Sequence, residues 1–139
     1  MTNHWDRIEQ RRLECKANPR PVTNQEIFNR AYEGLASQGF TQALVAPNTA
    51  NCVYVADDGR RCAWGWVDID LDRDSEGPVS SLRNNFQGVA AHLEQGQVGF
   101  AMALQEAHDS NPNPNYMEEA LRKLADLWHL TIPMITLDA

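Results

Sequence analysis

The sequence lacks any long hydrophobic run. Its 139 residues contain no stretch that approaches the roughly 18 consecutive apolar residues of a membrane-spanning helix. The N-terminal segment MTNHWDRIEQRRLECK carries charges throughout and has no apolar centre typical of a secretory signal. We therefore expect a protein without membrane association that stays in the cytoplasm of the cell that makes it.

Positive charge and nucleotide-binding motifs are also scarce. Twelve Lys and Arg residues stand against 19 Asp and Glu residues, giving a net charge of −7 that repels a nucleic-acid polyanion. The chain contains no G-x-x-x-x-G-K-[ST], G-x-G-x-x-G, H-E-x-x-H or G-x-S-x-G motif. We expect no direct nucleic-acid binding, whereas an acidic surface suits a basic groove on another protein.

The apolar spacing that is present predicts a mostly helical α+β fold in a single domain, 1–139. About four helices would pack on a small β-hairpin or three-stranded antiparallel sheet. An arm over 1–22 would precede a compact core over 23–130 and a short tail over 131–139. The predicted helices cover 3–16, 24–38, an apolar stripe that begins after Pro78, 97–108 and 116–129.

The hairpin prediction depends on the stretch NCVYVADDGRRCAWGW. Segments 52–56 and 61–67 flank Asp57, Asp58 and Gly59, and an Asp-Gly pair between β-prone segments is typical of a tight hairpin turn. Cys52 and Cys62 would then lie on neighbouring strands. With no export signal, we expect reduced thiols that pack as small hydrophobic groups.

If the extended segment continues, one of its faces becomes a candidate partner surface. Unbroken alternation would place aromatic anchors and carboxylates together, as in the energetic centres of interfaces. The alternatives are tryptophans in the core and a charged edge strand that resists aggregation. The predicted partner-binding residues are Trp64, Trp66, Asp68, Asp70, Asp72 and Asp74.

The four aspartates also resemble a calcium loop, but the resemblance fails. An EF-hand requires glycine at loop position 6 and glutamate at position 12. Counted from Asp68, those positions hold Arg73 and Val79, and counted from Asp70 they hold Ser75 and Ser81. Only a non-standard divalent site stays open here.

A second set of residues has the chemistry for a metal site or an enzyme. Cys52, Cys62, His108 and Asp109 offer zinc ligands, although a C-x9-C spacing lacks the tight knuckle of structural zinc sites, so we expect no cofactor. Alternatively, Cys62 would act as nucleophile and His108 as base, with N–H groups near Gly65 holding an oxyanion. Asp109 is a poor orienter because adjacent helical residues diverge by about 100°.

Several short motifs, in this order, resemble a group of small uncharacterised phage and prophage proteins. The matching stretches are QEIF at 25–28, CVY at 52–54, GRRCAWG at 59–65, LQEAHD at 104–109 and EALRKLA at 119–125. The chain departs from the group after Gly65, where Trp66-Val67-Asp68 replaces an aliphatic run and a Pro-Asp-Glu turn. The resemblance implies a phage or mobile-element origin and action inside a bacterial cell, and it implies no reaction.

The sequence therefore predicts a small acidic accessory protein that binds a host or phage protein and inhibits a nucleic-acid-handling or defence complex, in the manner of an anti-CRISPR protein. One alternative is an enzyme or zinc protein that uses Cys52, Cys62 and His108. Another is a structural module that forms a homodimer.

Overall fold

The computed structural model describes residues 4–17, 20–21, 23–44, 52–85 and 88–134. Within those ranges the secondary structure is helical, with six α-helices and one short 3-10 helix. The helices are α1 (His4–Ala17), α2 (Asn24–Ser37), α3 (Ala63–Val67), α4 (Val79–Asn84), the 3-10 helix (Gly88–His92), α5 (Gln95–Asp109) and α6 (Pro114–Leu127).

Helix α2 confirms the most strongly patterned prediction and forms the centre of the molecule. Thr23 caps it, with its hydroxyl accepting a hydrogen bond from the Glu26 N–H at 3.1 Å. The chain leaves the helix through Gly39, whose φ of 69° favours glycine. Ile27, Phe28 and other apolar residues of one face are fully buried, so α2 anchors the core.

The predicted α+β architecture is wrong, because the described residues form no strand and no sheet. The expected turn does exist: Gly59 has a φ of 93°, and the Ala56 N–H donates to the Arg60 carbonyl at 2.8 Å. The antiparallel pairing reaches only the isolated bridge between Val55 and Arg61. A second isolated bridge joins Leu44 to Cys52.

The pairing stops because Cys62 begins a helix instead of continuing a strand. Its Sγ accepts a hydrogen bond from the Gly65 N–H at 3.3 Å and so caps α3. Every residue of α3 is buried, including Trp64 and Trp66. Burial of two indole rings offers more apolar area than an exposed strand would, and this favours the helix.

Close packing between α2 and α3 requires a glycine at position 34. A Cβ built there would lie 2.2 Å from Cγ of Trp66, so only glycine lets the two helices approach. The indole N–H of Trp66 then donates to Oε1 of Gln38 at 3.1 Å. The same Oε1 accepts from the Arg61 N–H at 3.0 Å, so Gln38 ties the end of α2 to the start of α3.

After α3 the chain turns, so the predicted alternation of apolar and acidic residues does not form an extended strand. Asp68 is 2% exposed and its carboxylate accepts from the Val89 N–H at 2.8 Å and the Asp70 N–H at 3.2 Å. Asp70 lies in a turn and is exposed. The single stripe predicted after Pro78 is divided between α4 and the 3-10 helix, and its Phe86 lies outside the described residues.

The remaining helices complete the core. Helices α5 and α6 pack against each other, and Phe100 makes an edge contact with Trp128, with ring centroids 5.3 Å apart. Their observed bounds confirm the predicted helices at 97–108 and 116–129, with ends shifted by about two residues. No helix in the described ranges is long and apolar enough to cross a membrane.

Candidate functional site

The predicted partner face of tryptophans and aspartates does not exist as one surface. Trp64 and Trp66 are 0% exposed, and Asp68 is buried with them. Asp70, Asp72 and Asp74 remain exposed, on the turns between α3 and α4. The structure agrees with the alternative interpretation, in which both tryptophans belong to the core.

The second set of predicted residues is brought together in part. The ligand atoms of Cys52, His108 and Asp109 lie within 4.8 Å of one another. Cys62 is outside this group and is fully buried at the start of α3. Cys52 comes close to His108 and Asp109 because the bridge between Leu44 and Cys52 packs against the last turn of α5.

The imidazole of His108 does not fit a metal ligand. Its Nε2 accepts a hydrogen bond from the Ala43 N–H at 2.9 Å, and its Nδ1 lies 2.7 Å from Oδ1 of Asp109. Because a backbone N–H can only donate, Nε2 carries no proton, and the proton of the neutral ring resides on Nδ1. A metal at Nδ1 would require the proton on Nε2, where it would oppose the Ala43 N–H.

The thiols do not fit a nucleophile either. Burial, together with the negative charge of Asp109, raises the pKa of Cys52 to about 11. Burial raises the pKa of Cys62 to about 12, despite hydrogen bonds from Gly65 and Gln105 that act in the opposite direction. A thiolate is the reactive form, so both groups stay protonated and unreactive near neutral pH. Cys62 also lies outside the group formed by Cys52, His108 and Asp109, so the structure gives no support to the predicted pairing of Cys62 with His108.

A cleft next to this cluster is the strongest candidate for a binding site. It has a volume of about 540 Å³ and lies between the segment at 52–54, the segment at 75–79 and one side of α5. Among the described residues, three carboxylates line it, those of Glu76, Glu106 and Asp109, and no Lys or Arg does. We call it the acidic cleft.

The carboxylate of Asp109 is held in a fixed position at the cleft. Its Oδ1 accepts from Nδ1 of His108 at 2.7 Å and from Nε2 of Gln105 at 2.9 Å. Oε1 of Gln105 accepts in turn from the Trp64 N–H at 2.9 Å, which connects the site to α3. The Asp109 side chain is 41% exposed. Both donors are uncharged, so they orient the carboxylate and leave its negative charge in place.

The other walls of the cleft are apolar or fixed by backbone contacts. Met102, which is 45% exposed, contributes apolar surface, whereas Val79 is 1% exposed and contributes little. The hydroxyl of Tyr54 donates to the carbonyl of Gly77, which fixes the loop before α4 against the segment at 52–54. The cleft therefore combines the apolar side chain of Met102 with three carboxylates.

Sequence reasoning identified only part of this site. It singled out Cys52, His108 and Asp109 for chemistry that they do not support, and it did not identify Glu76 or Glu106. Gln105 lies in the stretch LQEAHD at 104–109, four residues before Asp109. A spacing of four places two side chains on the same face of a helix, and this was the sequence signal that could have identified Gln105.

Comparisons with known proteins give no further guide to this site. No family model, no curated protein and no solved structure matches the chain. The resemblance to phage and prophage proteins therefore stays a prediction, and the expected inhibitory role gains no support from these comparisons.

Proposed function

We propose that this protein is a binding module that captures a basic segment of a partner protein in the acidic cleft. The observation that carries the proposal is the fixed, partly exposed carboxylate of Asp109, in a cleft whose other charged lining residues are Glu76 and Glu106. A cation that enters the cleft meets negative charge that no lining Lys or Arg neutralises.

The shape of the cleft fits a Lys or Arg side chain better than a small inorganic cation. Such side chains bury an apolar stem while their charged group stays at the edge. Met102, which is 45% exposed, offers surface for the stem, and Asp109 and Glu76 offer oxygens for the charged group. Because Asp109 is already oriented by His108 and Gln105, binding costs little side-chain entropy there.

The overall charge favours the same class of partner. A net charge of −7 attracts a basic protein over distances comparable to the Debye length and accelerates encounter. We further propose that binding takes place in a reducing cytoplasm, because all three cysteines are free and two of them, Cys15 and Cys62, are buried as thiols.

The test measures binding of an oligolysine peptide to the full chain by isothermal titration calorimetry at low salt. The variant is the double substitution Asp109→Asn and Glu76→Gln, which removes two cleft charges and keeps similar side-chain shapes. We expect binding to weaken about tenfold, since each exposed ion pair contributes up to about 1 kcal/mol. An oligoglutamate peptide of the same length should not bind.

A matched control separates the cleft from the general acidity of the protein. Asp70→Asn with Asp126→Asn removes the same amount of charge from exposed positions that do not line the cleft. This control should bind the peptide nearly as well as the natural protein does. Equal weakening in both double variants would overturn the proposal, because binding would then depend on net charge alone.

A further inference from the structure

A second groove lies beside the acidic cleft, where α5 packs on α6, and Glu106 and Ser110 line both. Its volume is about 310 Å³, and its floor is formed largely by Ala103, Ala107 and Ala120. Leu127 stands at the end of the groove with 74% of its surface exposed. Together, the exposed leucine and the small side chains beside it form a continuous apolar patch.

We propose that this groove is the interface of a symmetric homodimer, occupied by a second copy of the chain. An interface with two-fold symmetry uses the same patch on both copies, so the patch must fit itself. Here one patch supplies both the projecting side chain, Leu127, and the shallow floor of alanines that receives a side chain of that size. The inference does not rest on the proposed function, although Glu106 lines both the groove and the acidic cleft.

The charges of the groove support a second copy in particular. Glu106 on α5 and Lys123 on α6 line the groove, and among the described residues that line it they are the charged ones. Two-fold pairing allows Glu106 of each copy to approach Lys123 of the other. Lys123 already lies 3.3 Å from Glu119, but both side chains are largely exposed, so Lys123 can change partner at little cost.

The same charges explain why two acidic chains would meet here. Each copy carries a net charge of −7, which opposes association through most of the surface. The groove has one acidic and one basic side chain among otherwise uncharged lining residues, so local repulsion is small there. Each copy would bury its Leu127 against the other copy, and burial of this apolar side chain favours association.

Sedimentation equilibrium of the full chain over a wide concentration range tests the proposal. We expect the natural protein to reach twice the monomer mass of 15.7 kDa. Leu127→Lys should weaken self-association at least tenfold. Leu13→Lys is the matched control, because Leu13 is also exposed, at 52%, but lies on α1 away from the groove. That control should associate as the natural protein does.

A charge exchange tests the pairing itself. Glu106→Lys and Lys123→Glu should each weaken the dimer, and the combination of both should restore most of the lost affinity. A natural protein that stays monomeric at every concentration would overturn the proposal and leave the groove to another occupant. A dimer that is unaffected by Leu127→Lys would overturn it as well. Circular dichroism of each variant verifies that the helices are retained.

Discussion

The surroundings of α3 and the acidic cleft contain similar polar groups, yet they use them differently. Around α3, Gln38 makes hydrogen bonds through both ends of its amide, and Nη1 of Arg61 donates to the Gly65 carbonyl at 3.0 Å. In the cleft, Glu76 and Asp109 turn negative charge toward an open space. The side chains of Gln38 and Arg61 are paired within the chain, although Nε1 of Trp64 is buried with no hydrogen-bond partner among the described residues, whereas the cleft leaves charge available to a partner.

The difference teaches that burial decides what a polar residue does in this protein. A buried polar group without a hydrogen bond costs free energy, and the side chains of Gln38, Arg61 and Asp68 are accordingly paired within the chain. A carboxylate at the edge of a cleft pays no such penalty, because water solvates it until a cation replaces the water. Substitutions should therefore affect stability in the first region and binding in the second.

Of the substitutions considered, Trp66→Ala should have the largest effect on the free energy of unfolding. The ring is fully buried against Gly34, and its removal leaves a cavity and deprives Gln38 of one donor. We expect a loss of about 3–5 kcal/mol in the free energy of unfolding, measured by urea denaturation. Trp5→Ala is the control, since Trp5 is 49% exposed, and its effect should be much smaller. Equal effects would mean that Trp66 is not in the core.

Two aspartates, one in each region, should show the difference between the two regions more clearly. Asp68→Asn places an amide N–H₂ where the carboxylate accepts from Val89 or Asp70, and we expect a loss of about 1–3 kcal/mol in unfolding free energy. Asp109→Asn keeps an oxygen that can accept from His108 and Gln105, so its stability should change little while binding weakens. Matching losses of stability in the two variants would contradict the division between the regions.

Asp68 should also give the stability a measurable dependence on pH. Burial raises the pKa of Asp68 above its ordinary value of 3.8, although the Val89 and Asp70 N–H groups oppose the shift. A raised pKa means that the folded state holds the proton more tightly, so this contribution is full below 3.8 and is lost as the pH rises through the native pKa. The stability advantage of the natural protein over Asp68→Asn should therefore shrink as the pH rises. A constant difference would mean that Asp68 is not perturbed.

The smallest effect concerns the rate at which the thiols react. Cys52 is partly exposed at the cleft, and its pKa of about 11 keeps it protonated near neutral pH. We expect slow alkylation by iodoacetamide that accelerates with rising pH, whereas Cys62 should react only after unfolding. Mass spectrometry of the labelled peptides measures both rates. Rapid labelling of either thiol at neutral pH would return the thiol-enzyme alternative to consideration.

Helix prediction succeeded where local signals were sufficient. Thr23 caps α2 and Gly39 follows its end, and apolar spacing located α5 and α6, because capping and amphipathic periodicity are encoded in neighbouring residues. The hairpin prediction failed beyond Arg61. Alternation of Trp64 and Trp66 fits a strand locally, but a neighbour that can bury both rings favours a helix, and that neighbour is α2.

The sequence by itself determined the net negative charge, the tight turn at Gly59 and most of the helices, since these depend on composition or on residues close together in the chain. Only the tertiary structure decided which residues form a site. Asp109, Gln105 and Glu76 come together because the Cys52 segment, the loop before α4 and α5 pack side by side. Contacts between distant segments depend on how the apolar core is filled, and no local pattern of residues specifies that.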